Sequence, residues 1–299
     1  MLLNNNVAVE FLAATFYFLN HFFESMRTKF FQLMLAAIVV CGAMVFASCS
    51  DDKDSVSDNL AEKIIGSWIH TATDGIYTPT NRKSIHTFVK TGSGLKMYNT
   101  IAITGDNDPW WEYQQEMDVT IEGNHITMQT TYDDGKRVVT ELNVTKISGS
   151  EMEYQTVTHI IQPDGKQIDI DSRTELFTRV TKDYSNDVLG TWEGSINEGQ
   201  SAYDDNLKHR WEFKADGTYV YYCFENGQWE VSADTKNEYF VDGTLICTRW
   251  NDPVNYPGQE LREWWEITSI ENGVMTWNAL REEADGTMHT IEFKMTKVE

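Results

Sequence analysis

Seven histidines, four cysteines and 46 acidic side chains are the raw material for chemistry in this 299-residue chain, and their spacing excludes most of it. An enzyme needs a nucleophile beside a base, a metal-ligand set, or paired carboxylates held in a cleft. No His-Glu-x-x-His, Gly-x-Ser-x-Gly, phosphate-binding Gly-x-x-x-x-Gly-Lys or Cys-x-x-Cys occurs. His86 and His209 occupy similar places before the second strand of two sequence repeats. A lone His without Cys or His neighbours makes a poor metal site, so each is expected to cap or line a strand end. Asp106-Asn107-Asp108 and Asp204-Asp205-Asn206 offer oxygen ligands, but neither has the twelve-residue loop of an EF-hand. No catalytic residue, metal or cofactor is expected. Aromatics are the remaining resource, with 10 Trp, 13 Tyr and 14 Phe. Trp110 and Trp264 each sit beside a second Trp, and neighbours on a strand face opposite ways. These two are the candidate exposed, ligand-binding aromatics.

One cysteine has a chemistry of its own. From Met26, Arg27 and Lys29 form a short positive stretch, an apolar run follows over residues 30–47, and small residues lead to Cys49. A charged region, an apolar region and a small-residue cut are the marks of a secretory signal peptide. Phe46-Ala47-Ser48-Cys49 resembles a bacterial lipobox, with Phe46 departing from the usual Leu, Val or Ile. That resemblance makes Cys49 the lipidated first residue of the mature chain. The alternative is one membrane-spanning helix, since the run is about long enough; the abrupt change to Ser50-Asp51-Asp52-Lys53-Asp54 favours processing. Several acyl chains on one cysteine suffice for stable attachment where one does not. Residues 1–25 fall outside the signal and read as a mis-assigned start or a longer leader, residues 26–48 as the signal peptide, and residues 49–59 as a lipid-anchored tether.

Residues 49–299 hold 22 Lys+Arg against 44 Asp+Glu, a net charge of −22. Such a surface repels phosphate backbones, so nucleic acid is excluded as a partner. Cys223 and Cys247 remain after the anchor; they can pair in an oxidising compartment or serve as small buried apolar residues.

An internal repeat organises the rest, and repeats change the expected fold. Ile64-Ile65-Gly66-Ser67-Trp68 recurs as Val188-Leu189-Gly190-Thr191-Trp192, Trp111-Glu112 as Trp229-Glu230, and Phe177-Thr178-Arg179-Val180 as Met295-Thr296-Lys297-Val298. The boundaries are drawn at residues 60–183 and 184–299. Within each copy, short β-branched and aromatic runs alternate with Asn-Gly, Asp-Gly and Ser-Gly turns, which favour tight hairpins. The pattern predicts about eight or nine strands per copy, joined as an antiparallel meander or barrel. Aligning Ile147 with Ile270 sets Leu142 against Trp265 and Val144 against Ile267, all pointing inward, and puts Trp264 outward. Tyr154 and Trp277 are matched and expected in the core.

Gly-x-Trp on the first strand, the Phe213-Lys214-Ala215-Asp216-Gly217-Thr218-Tyr219 hairpin and Gly227-Gln228-Trp229 resemble lipocalin-like domains, such as those in lipoproteins of anaerobic gut bacteria. The resemblance covers nearly all of residues 60–299 as two copies. It implies an all-β fold of two tandem small up-and-down barrels, with Gly66, Trp68, Gly190 and Trp192 as structural signatures, each Trp plugging a barrel floor. The first copy departs from the pattern at Gly92-Ser93-Gly94 and Pro109-Trp110-Trp111, so its barrel is expected to be the less regular. The leading expectation is a non-catalytic binding module for a small apolar ligand or a glycan. It would be anchored to the outer membrane through Cys49 and face the exterior, since Ser50 to Asp54 resembles an acidic surface-export tag. The alternative is a structural protein docking on another envelope component. Barrels of this length can fill their interiors with their own side chains, and a packed interior in both would leave only surface binding.

Overall fold

In a computed structural model, residues 56, 59–102, 112–196 and 208–298 are described. Cys49, Trp110, Trp111 and both acidic clusters lie outside them. The described residues are almost wholly β, with a four-residue helix α1 (Leu60–Lys63) and a 3₁₀ turn (Thr80–Arg82). No helix among them is long and apolar enough to cross a membrane.

The first copy contributes β1 (Gly66–Thr73), β2 (Ile76–Tyr77), β3 (Ser84–Thr91), β4 (Gly94–Ala102), β5 (Glu112–Glu122), β6 (His125–Thr131), β7 (Arg137–Ile147), β8 (Glu151–Ile161) and β9 (Gln167–Arg179). They form one antiparallel meander in which β1 also pairs with β9, closing an eight-stranded barrel with β2 as a side hairpin. The second copy contributes β10 (Gly190–Ile196), β11 (His209–Phe213), β12 (Tyr219–Glu225), β13 (Gln228–Val231), β14 (Thr235–Asp242), β15 (Leu245–Asn251), β16 (Glu260–Glu271), β17 (Val274–Glu282) and β18 (Met288–Val298). Here β10 pairs with β18, while the sheet ends at β13 on one side and β14 on the other. The turns fall where the dipeptides place them. Asn226-Gly227 and Asn272-Gly273 have positive φ at both residues, the backbone that a tight hairpin matched to strand twist requires.

The floor is built the same way twice. Trp68 and Trp192 are buried, and their indole Nε1 donates to Ile64 O at 2.8 Å and Val188 O at 2.7 Å, four residues back. A cation from the last strand lies over each ring: Arg179 at 4.0 Å from the Trp68 centroid and Lys297 at 5.0 Å from that of Trp192. Gly66 and Gly190 are needed beneath them, with φ of 113° and 111°; a Cβ would meet Arg179 Nη1 at 2.9 Å or Lys297 Cε at 3.1 Å. The Gly-x-Trp signature is thus a steric and hydrogen-bonding unit that joins first strand to last.

The inward assignments hold: Leu142, Val144 and Tyr154 lie in the core of the first barrel, and Trp265, Ile267 and Trp277 in that of the second. The expectation about regularity is reversed. The first sheet closes on itself through β1 and β9, and the second is the broken one. In the second copy, β13 and β14 together stand where β5 stands in the first, with the chain leaving the sheet at residues 232–234. The hairpin motifs report turns, not whether a strand stays paired along its length. Cys223 and Cys247 do not form a disulfide. Cys223 pairs with inward-facing His209 in the ladder, whereas Cys247 is buried between the two sheets.

The barrels are docked on each other. Ile69 and Ile85 from the outside of the first pack with Phe240, Leu245, Cys247 and Trp264 from the outside of the second. This corrects the reading of Trp264. Its outward register is right, yet the ring is only 9% exposed, because the outer face of that strand is covered by the neighbouring barrel.

The upper interior of the first barrel is polar. His70 Nε2 lies 2.7 Å from Glu175 Oε2, Thr73 Oγ1 donates to the same oxygen at 2.6 Å, and the His70 and His86 rings lie 5.0 and 4.7 Å from Phe177. Burial, with some repulsion from His70, lowers the His86 pKa from 6.5 to about 3. The sign follows: above pH 6.5 neither state holds the proton, and between 6.5 and 3 only the unfolded chain takes it. Stability should therefore fall with pH across that window, by up to about 1.4 kcal/mol per unit from this group. Denaturant unfolding from pH 7 to 4 should show a shallower decline for His86→Gln than for the unchanged chain; parallel profiles would contradict the assignment.

Candidate functional site

The second barrel holds a partly open cavity of about 480 Å³, within the roughly 300–1,000 Å³ of small-molecule sites. Alternation along the strands lines its deep part with rings. His209 and Trp211 come from β11, Tyr221 from β12, Trp265 from β16, Trp277 from β17 and Phe293 from β18. The rings brace one another: Trp211 lies 5.1 Å from Tyr221 and meets Phe293 edge-on at 5.0 Å, while Trp265 and Trp277 lie 5.9 Å apart. Such contacts fix ring orientation and leave faces available for stacking. His209 Nδ1 bonds the Tyr221 hydroxyl. It thus lines the cavity as part of a ring wall, in keeping with the strand-end role expected of it.

Nearer the rim the lining turns polar, with Asp234, Glu263, Arg281 and His289 among its residues. Burial pushes the Asp234 carboxyl above the usual range, with Asp252 adding repulsion, and raises the Tyr219 hydroxyl beside Glu263 and Asp234. The cavity therefore pairs an aromatic bottom with a charged, hydrogen-bonding top. The lining mixes aromatic with charged side chains, so the sequence expectation of an apolar interior holds only in part.

Two breaks in the ladder open this barrel. One is the seam where β14 meets β12, closed by a single bridge between Thr218 and Glu238 and by Tyr239 N donating to Gly217 O at 2.8 Å. The other is a slit in the wall. Pairing of β16 with β17 stops at Glu266 and Asn278; above that, residues 260–265 pair only with β15 and residues 279–282 only with β18. The matching strands of the first barrel, β7 and β8, pair up to Arg137 and Ile161. Across the slit, Arg281 Nη1 donates to Trp264 O at 2.8 Å, and its guanidinium lies 4.8 Å from the Trp265 ring centroid. A side chain takes the place of ladder bonds there.

The structure brings together some of the residues singled out by sequence and not others. His209 and Trp264 line the cavity; His86 belongs to the other barrel, and Cys49 and Trp110 lie outside the described residues. No group of three or more His, Cys, Asp or Glu side chains suited to a metal ion occurs among the described residues. Trp211, Tyr221, Glu263 and Arg281 escaped the sequence reading. Alternation through His209-Arg210-Trp211-Glu212-Phe213 marks Trp211 as inward, but nothing local marks Arg281 as a brace.

No known family and no curated protein matches the chain. Among solved structures it is similar to a DUF3598-family protein of unknown function from Nostoc punctiforme. That match has 10% identity, covers 79% of this chain and 97% of the other, and has a TM-score of 0.24. It is also similar to a mutant of transferrin-binding protein B from Haemophilus parasuis, at 10% identity over 79% of this chain and 59% of that one, with a TM-score of 0.22. At such scores neither likeness carries an argument, and the fold rests on the strand order above.

The brace across the slit is testable. Arg281→Gln leaves Trp264 O without its partner and uncovers the Trp265 face, so it should cost about 1–3 kcal/mol in chemical denaturation. A change within about 0.5 kcal/mol, the range of ordinary surface substitutions, would show that Arg281 does not hold the wall.

Proposed function

We propose that the chain is a non-catalytic binding module whose second barrel takes one small ligand with an aromatic or apolar body and a polar end. The supporting observation is the cavity itself, ringed by Trp211, Tyr221, Trp265, Trp277 and Phe293 below and by Glu263 and Arg281 above. Aromatic walls supply large contact area at little conformational cost, and a few polar groups orient the ligand. A sugar stacked on a Trp face meets the same description, so the glycan expectation narrows to one that fits within this barrel.

The Cys49 reading places this module at a membrane. A lipidated Cys49 would tether the barrels through the short polar stretch that follows it, up to Val56, which packs against the core of the first barrel. The acidic stretch Ser50 to Asp54 favours the outer surface of the outer membrane, where ligand capture has a use. Labelling with radioactive palmitate and its loss in Cys49→Ala would support the anchor; equal labelling would remove it.

Binding is tested with N-phenyl-1-naphthylamine, a neutral aromatic probe, and 1-anilinonaphthalene-8-sulfonate, which carries an anionic end. The unchanged chain should bind at one site, with tryptophan-to-probe energy transfer, and its apparent melting point should rise with probe concentration. Trp211→Ala should weaken binding at least tenfold, about 1.4 kcal/mol. Absence of saturable binding, or full binding by Trp211→Ala, would refute the cavity as the site.

A further inference from the structure

The slit between β16 and β17 is closed from outside by the first barrel. The 3₁₀ turn Thr80–Arg82 connects β2 to β3, and it is stitched to both lips. Thr80, 1% exposed, accepts a hydrogen bond at Oγ1 from Leu280 N at 2.8 Å. That amide lies on the stretch of β17 that β16 no longer pairs with. Arg82 reaches Glu282 at 2.8 Å on the same lip, and Lys83 reaches Glu266 at 2.5 Å on the other. Lys83 and Glu266 are 14% and 25% exposed, so this pair is screened less than a surface pair, whereas Arg82 and Glu282 at 63% and 35% contribute little to stability. Between them Asn81 is part of the cavity lining, together with Arg262, Trp264 and Glu282 from the outer face of the wall.

The turn does not move freely against this wall. Gly243, in the β14–β15 turn, has a positive φ of 57°, and a Cβ there would meet Val180 Cγ1 at 2.7 Å and Ile85 Cδ1 at 3.5 Å. The Asp242 carboxyl bonds the Thr100 side chain of the first barrel. The apolar cluster around Ile69, Ile85 and Trp264 fills the space between these points. One barrel is therefore held against the other at several separated places, which fixes the turn at the opening.

We infer that the binding site is composite: the first barrel supplies the missing piece of the second barrel's wall, and Asn81 hydrogen-bonds the polar end of the bound ligand. This rests on the cavity being the binding site. It gives the first barrel a role although its own floor and lower interior are filled. It also accounts for the backbone groups along the β16–β17 slit, which would be unpaired at a cost without a partner from outside the sheet. The ligand's aromatic body lies among the deep rings, and its polar end points toward Asn81, Arg281 and Glu263.

The test uses the intact chain with the two naphthalene probes. Asn81→Leu, close in size but without hydrogen-bonding groups, should weaken the sulfonate probe at least fivefold and leave the neutral probe within about twofold. Thr80→Val, which keeps the shape but removes the acceptor for Leu280 N, should speed release of both probes severalfold, and Thr80→Ser should restore the original rate. Circular dichroism and melting curves confirm that each variant is folded. If Trp211→Ala weakens both probes while the Asn81 and Thr80 variants bind and release them as the unchanged chain does, the composite site is overturned and the cavity stands. If the unchanged chain binds neither probe at a single site, the cavity reading fails and this inference fails with it.

Discussion

Everything in this molecule depends on a backbone constraint: a curled sheet can enclose an interior only if its edge amides and carbonyls find partners. Both copies meet the constraint at the same place, where the first strand pairs with the last above a buried tryptophan. There the indole N–H is satisfied four residues back, and a cation from the last strand covers the ring. The floor fixes where the chain starts and where it returns. What the two copies do with the rest of the wall separates them.

The first copy closes its sheet through β1 and β9, although β5 and β6 pair only from Asp118 and Gln129 to their hairpin, and it uses the enclosed space for its own side chains. Trp68, Phe88, Met97, Met128 and Leu142 fill the lower part, and a network around His70 and Glu175 occupies the upper part. The second copy breaks the stave that matches β5 into β13 and β14 and splays β16 from β17. Its interior keeps a ring of aromatics around open space. The two copies of one strand order thus give a packed barrel and a hollow one. The packed barrel covers the gap in the hollow one with a short turn. Buried side-chain caps such as Thr80 Oγ1 on Leu280 N and Arg281 on Trp264 O serve where ladder bonds are missing, as polar groups away from water must be served.

Much of the fold was legible because its rules are local. Period-two alternation, Asn-Gly and Asp-Gly turns and the repeated Gly-x-Trp act over a few residues, and they located the hairpins, the floor and the inward faces of Leu142, Trp265 and Trp277. The site was legible only in part. Trp264 faces outward as its register requires, but its exposure was decided by a second barrel that no local pattern reveals. The departures at Gly92-Ser93-Gly94 and Pro109-Trp110-Trp111 suggested an irregular first barrel, yet turn chemistry does not report pairing beyond the turn. The slit lies in Leu261-Arg262-Glu263-Trp264-Trp265, a stretch as strand-like as any other, and the Thr80–Arg82 turn that fills it comes from nearly 200 residues earlier, at a separation of 200 for the Thr80–Leu280 bond.

The claim that one barrel completes the wall of the other is read most directly at a single backbone amide. Leu280 N–H has no strand partner on the β16 side and is held by Thr80 Oγ1. Site-resolved hydrogen exchange on the intact chain should find it protected to nearly the level of the paired amides of β17, and Thr80→Val should make it exchange at least tenfold faster while the β17–β18 ladder keeps its protection. Fast exchange at Leu280 in the unchanged chain, or protection that survives Thr80→Val, would contradict the account.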